Sequence, residues 1–159
     1  MNLIAQCYAS GGDELVTTLE ATYEGAPGPY LACAGFQDRT CTTEDGRTLT
    51  FTAMGIEEAL PKNDNSAFQS LIIAMDNITG DVQEVVETAK QADKRITVTL
   101  RIYLASDLSY PSEKYRMTVL SREYEGGVAK LTCGFFDLLN TNGLRNVLTT
   151  LLAPGLKYI

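Results

Sequence analysis

The chain contains no histidine and no tryptophan, and each absence narrows what it can do. Without histidine there is no Ser-His or Cys-His nucleophile pair, the commonest general base of enzymes is missing, and mixed Cys/His zinc sites are excluded. Without tryptophan, a sugar-binding surface would have to stack its ligand on tyrosines, of which there are 8. Basic residues are scarce: 13 against 20 acidic ones give a formal charge of -7, with no basic run to grip phosphates. Long apolar runs are also missing. LIIAM at 71–75 is far short of the roughly 20 residues a membrane span needs, so no membrane span is expected. The N-terminus has neither the positive start nor the apolar centre of a signal peptide, and Gln6 before Cys7 spoils a lipoprotein site. This points to synthesis and use in a cytoplasm, or export from one as part of an assembly.

The four cysteines, Cys7, Cys33, Cys41 and Cys133, show no two-residue spacing of a zinc knuckle or redox motif. They are expected to be buried thiols serving as small apolar side chains, with no metal and no cofactor. Phosphate-binding glycine loops, G-x-S-x-G and H-E-x-x-H are absent as well. Paired carboxylates at Glu44 and Asp45, or Glu57 and Glu58, are of the type a glycosidase uses. Neighbouring acids usually point apart and solvate a surface, so the expectation is that the protein is not an enzyme.

What the chain does have is alternation. In residues 95–105, Ile96, Val98, Leu100, Ile102 and Leu104 alternate with Arg95, Thr97, Thr99, Arg101 and Tyr103. A period of two puts the branched residues on a core and sends the arginines, threonines and Tyr103 toward water or a partner. Such a one-sided strand implies an antiparallel sheet. Further strands are expected at 14–23, 30–36, 48–54, 69–77, 114–124 and 128–135, the last with Ala129, Leu131, Cys133 and Phe135 on one face. Asp45-Gly46 marks a tight turn, read as joining 30–36 to 48–54 in a hairpin. The stretch 55–67, with Pro61 and the polar Lys62 to Asn65, reads as a broad exposed loop.

A single helix stands out. Val82, Val85, Val86 and Ala89 make one apolar stripe near residues 81–92, and Asp81 with Glu84 has the spacing of a capping box. The fold class is therefore mainly β (α+β): an antiparallel barrel or sandwich-like domain with one amphipathic helix. Its length suits one domain, 13–159, preceded by a flexible arm, 1–12, that ends in Ser10, Gly11 and Gly12. A short helix around 143–152 is expected in the apolar tail. Tyr103 and Tyr110 keep a glycan-binding module open as an alternative.

One ordered set of segments is more specific: IEEALPKNDN, LIIAMDNITGDVQEVVE, VTLRIYLASDLSYP, YRMTVLSREYEGGVAKLTCGFFDLLN and the closing APGLKYI. Over about residues 14–159 it resembles the minor tail-tip family of long-tailed bacteriophages, whose domain is similar to the N-terminal part of the lambda tail tip protein. The resemblance implies a β-barrel hub, as a homotrimeric ring between the tail tube or distal ring and a central-fibre or receptor-binding protein, with a passage for tape measure and DNA. It implies a location in the virion tail tip, after synthesis in the host cytoplasm, and no sequence-specific nucleic-acid binding. A hexameric distal tail ring is the alternative within this class. The lambda protein's cysteine-rich C-terminal domain has no counterpart here, so no cluster ligand is carried over. Candidate assembly contacts are Asn2, Leu3 and Ile4 in the arm, Pro61 in the loop, and Leu151, Leu152, Leu156 and Tyr158 in the tail.

Overall fold

The computed structural model describes residues 12–59, 70–77 and 80–135, together with Ala5 and Ala9. The helix expected around 143–152 and nearly all of the arm lie outside these residues. Nine strands are present among the described residues: β1 Leu15–Tyr23, β2 Tyr30–Ala34, β3 Arg39–Thr42, β4 Thr48–Met54, β5 Ile56–Ala59, β6 Ser70–Asp76, β7 Ile96–Leu104, β8 Glu113–Glu125 and β9 Val128–Gly134. The helix α1, Asp81–Gln91, runs between β6 and β7. The described residues are mostly β, with the short helix α1 between β6 and β7, as the alternating pattern requires.

The sheet order is β3-β4-β2-β1-β7-β8-β9-β6-β5. β4 stands next to one end of that order and β5 at the other, yet only Gly55 separates them in the chain. The stretch Thr48–Ala59 therefore pairs with β2 through its first half and with β6 through its second, and so closes the sheet on itself. At the junction Gly35 N donates to Met54 O (3.3 Å) and Asp76 N donates to Gly55 O (2.9 Å).

Inside this closed sheet sits the main core. Leu19, Leu71, Ile73, Met75, Val98 and Leu100 are at most 1% exposed, and Val82, Val86 and Ala89 of α1 pack onto the same cluster. Thr17 Oγ1 donates across to Glu58 Oε1 (2.8 Å), so a buried hydroxyl within this layer is satisfied.

Three expectations change. The Asp45-Gly46 turn joins β3 to β4, not β2 to β4: Gly46 N donates to Thr43 O (2.9 Å) and Thr43 N to Arg47 O (2.8 Å), with Gly46 at φ 76. β2 and β4 instead run parallel, Ala32 to Ala34 beside Thr52 to Met54, which makes the sheet mixed rather than antiparallel. A parallel pair needs a crossover, and residues 35–47 with the four-residue β3 supply it. The start of the expected exposed loop, Ile56–Ala59, is strand β5. Residues 60–69, including Pro61, lie outside the described set.

The helix start differs too. Gly80, at φ 81, is the N-cap and provides no side-chain bond, so the Asp81–Glu84 box does not form. Asn77 takes over: its Oδ1 accepts from Gln83 N (3.2 Å), satisfying one of the orphan donors of the first turn. Replacing Asn77 by alanine should lower the unfolding free energy by about 1 kcal/mol in urea titrations, whereas Asp81→Asn should cost less. At the other end Lys94 N bonds Ala89 O and Asp93 N bonds Lys90 O, both at 2.9 Å, a Schellman closure with Asp93 in the left-handed region at φ 52.

The largest correction concerns β7. It is buried on both faces: Arg101 is 2% exposed and Tyr103 0%, where the alternation had sent them outward. The hairpin β3–β4 folds over the outer face of β1 and β7 and encloses a second cluster of Val16, Cys33, Cys41, Phe51 and Tyr103. Arg95, before the strand, is exposed.

Candidate functional site

The second cluster carries a charge network along its margin. Thr18 lies opposite Arg101 in the β1–β7 register, so Glu20, two residues on, shares the outer face and is a diagonal neighbour. Arg101 Nη1 donates to Glu20 Oε2 (2.7 Å), while its Nε and Nη2 donate to Glu44 Oε2 (2.7 Å) and Oε1 (3.3 Å). Glu44 comes from the β3–β4 turn, which also sends Arg47 to both oxygens of Glu20 (3.2 and 3.5 Å). Lys114, directly opposite Arg101 on β8, reaches Glu44 Oε1 at 3.0 Å, and Asp45 pairs with Arg47 at 3.5 Å. Three cations thus meet three carboxylates.

The electrostatics follow from the contacts. The Arg101 guanidinium, helped by the Lys114 ammonium, holds the Glu44 carboxyl at about 2 in spite of the opposing effect of burial. Burial alone would lower the pKa of Arg101; hydrogen bonds to Glu44 and Glu20 outweigh it, and the net shift is upward. A carboxyl held near 2 is no proton donor at neutral pH, so Glu44 does not suit the general-acid role of a glycosidase pair. Glu57 and Glu58 alternate between more and less exposed positions on β5, and Glu58 accepts from Thr17. What the network can do is hold the hairpin on the sheet.

Tyr103 has no outward ring to offer a sugar. Its hydroxyl donates to Thr42 O (3.0 Å), and burial pushes it up to about 12. Thr42 N in turn donates to Leu108 O (2.9 Å), so both outward groups of Thr42 on the edge of β3 are used. Only Thr40 remains facing outward on that edge, too little to template another strand. Tyr110 does stand exposed, at 64%.

Cys33, Cys41 and Cys133 are buried and reduced, as expected of small apolar side chains. Burial raises the thiols, Cys41 to about 11 and Cys133 to about 12. Cys7 lies outside the described residues. Among those residues no group of three or more cysteine or carboxylate side chains is placed to hold a metal ion. No helix among them is long and apolar enough to cross a membrane.

The outer surface bears exposed apolar groups, Phe36, Leu120, Val128 and Phe135, and of these the alternation singles out Phe135 alone. The alternation places Phe135 on one face with Ala129, Leu131 and Cys133, but it falls just beyond β9 and is exposed where they are buried. Leu120 is turned out by a bulge between Val119 and Ser121. Beside that bulge, a cleft of about 720 Å³ opens between the end of α1, the start of β7 and β8. A smaller one of about 310 Å³ lies by β2 and β4, bordered by Asp76 and Asp81. The candidate contacts Asn2, Leu3, Ile4, Pro61, Leu151, Leu152, Leu156 and Tyr158 all fall outside the described residues.

No curated protein matches this chain at a significant level. Residues 2–147 match the family described as a domain of unknown function, DUF1833, and the chain belongs to that family.

Proposed function

We propose that the protein is a structural component of a bacteriophage virion, a tail-tip hub that forms a ring between the tail tube or distal ring and the central-fibre or receptor-binding protein. It works as a scaffold rather than a catalyst. The ring leaves a passage for the tape measure and DNA, and the chain reaches the tail tip after synthesis in the host cytoplasm. Support comes first from the ordered segments that resemble tail-tip proteins. The structural observation that carries the reading is the filled interior of the closed sheet, with Leu19, Leu71, Ile73 and Leu100 at 0% exposure. A filled barrel leaves recognition to its outer surface, and that surface presents Phe36, Leu120 and Phe135 to partners. A net charge of -7 suits a channel wall past which DNA must slide without sticking.

The test is location. Particles purified from a culture that produces them, probed by gold-labelled antibody against this chain, should carry label at the distal end of the tail. Label on no particle, or on capsids alone, overturns the reading. Native mass then separates the ring forms: three copies of 17.3 kDa give 51.9 kDa, the expected trimer, and six give 103.8 kDa.

A further inference from the structure

Phe36 is fully exposed, yet the loop that presents it is held tightly. Gly35 N donates to Met54 O (3.3 Å) and Ala53 N to Asp38 Oδ1 (2.8 Å), and the single proton of the Cys33 thiol is shared between Phe51 O (3.5 Å) and Gln37 O (3.7 Å). An aromatic ring kept in water on a rigid support is the form of a binding anchor, since little further entropy is lost when it is buried. The cleft beside the β8 bulge has the complementary form. Leu120 and Val119 give it an apolar patch, with Val86 and Ile96 nearly buried beneath, and the rest of its lining is mostly charged: Lys90 and Arg95 have no ion pair among the described residues, and Asp93 lines it too.

The two features cannot meet within one chain. Thr18 lies opposite Cys33 and Leu15 opposite Leu104, so the loop after β2 projects at one end of the sheet; Ile96, opposite Tyr23, puts the cleft at the other. Charge selects between the two clefts. Asp38 beside Phe36 would meet Asp76 and Asp81 in the smaller one, but in the larger Lys90, Lys94, Arg95 and Arg122 against the single acid Asp93.

We propose that Phe36 of one copy inserts into the cleft between the end of α1 and the β8 bulge of a second copy. The ring packs on Leu120 and Ile96 beneath the Arg95 guanidinium, and Asp38 pairs with the cations at the rim. Unlike surfaces meet, so the contact either repeats head-to-tail around a ring or is exchanged by two copies across a two-fold axis. Its purpose rests on the hub reading above; the contact itself is tested in solution.

The experiment is sedimentation equilibrium of the full chain, Phe36→Ser, Arg95→Glu and their equimolar mixture, with circular dichroism and thermal melts to show that both variants fold. The wild type is expected to reach multiples of 17.3 kDa, and each variant to associate about 30-fold or more weakly. The mixture is decisive. Phe36→Ser retains an intact cleft and Arg95→Glu an intact anchor, so they form one contact and stop at twice 17.3 kDa, 34.6 kDa. A wild type that stays monomeric at high concentration, a variant of unchanged mass, or a mixture that does not pair each overturns the contact. None of these moves the antibody label on the virion, which decides the hub reading separately.

Discussion

Replacing Arg101 by leucine should lower the unfolding free energy by about 3–5 kcal/mol and the melting temperature by on the order of 10 °C. The side chain is 2% exposed and bonds two carboxylates, one of which, Glu20, is itself only 8% exposed. Removing the cation leaves Glu20 buried with Arg47 alone, and an uncompensated buried charge costs more than the intact pair contributes. The triple replacement Glu20→Leu, Arg101→Leu and Glu44→Leu should recover most of the loss, because Arg47 and Lys114 are each nearly half exposed and return to water. Urea denaturation of the single and triple variants measures both effects. A single variant within about 0.5 kcal/mol of the parent would show that the network does no more than fill space.

The same network fixes the direction of the acid response. The Glu44 carboxyl titrates near 2 when folded and at its ordinary value near 4.5 when unfolded. Between those values the unfolded state binds more protons, so stability rises with pH there. The contribution is fully present above about pH 5 and is lost as pH falls through 4.5 toward 2. Glu24 beside Lys94 and Asp107 beside Ser109 are lowered too and act in the same direction from exposed positions. Urea midpoints at pH 7, 4 and 2.5 should therefore fall in that order, and Arg101→Leu should fall less steeply.

These partners explain what could be read from the sequence and what could not. The alternation of Ile96, Val98 and Leu100 and the stripe of Val82, Val86 and Ala89 are local signals, and they locate β7 and α1 to within a residue or two. The fate of the other face of β7 is not local, because Glu44 and Glu20 lie 57 and 81 residues from Arg101. A signal was present: Glu20 and Arg101 are opposite charges set within apolar strands. β3 escaped notice because its four residues, Arg39 to Thr42, are too few to show a period. Asp45-Gly46 therefore reads as joining β2 to β4 instead of β3 to β4, although the turn itself is where the dipeptide puts it. β5 was hidden in the same way, as four residues leading toward Pro61. At Phe36 the one cue was an aromatic beside a turn glycine, which says nothing of how firmly the loop is held. The candidate contacts in the arm and tail rested on the resemblance and on apolarity alone.

The other large effect is expected at Phe51. Phe51→Ala should cost about 3–5 kcal/mol, since the ring is wholly buried between the hairpin and the sheet. Ile73→Ala, in the interior cluster, should cost about 2–5 kcal/mol, and the comparison between the two carries the argument. If the second cluster opens by itself, loss of Phe51 frees the hairpin before the barrel unfolds, and Cys41, now raised to about 11 by burial, becomes reactive. Labelling with a thiol reagent at low urea should then proceed faster at Cys41 than at Cys133 in Phe51→Ala, and equally slowly at both in Ile73→Ala. Equal rates in both variants would make the two clusters one cooperative unit. The distinction bears on assembly because the Phe36 loop is held by Cys33, Ala53 and Met54, next to the same hairpin. Phe36→Ser removes the anchor and leaves its support intact, whereas Phe51→Ala leaves the anchor and loosens its support. Both should weaken association, but only Phe51→Ala should lower the melting temperature as well.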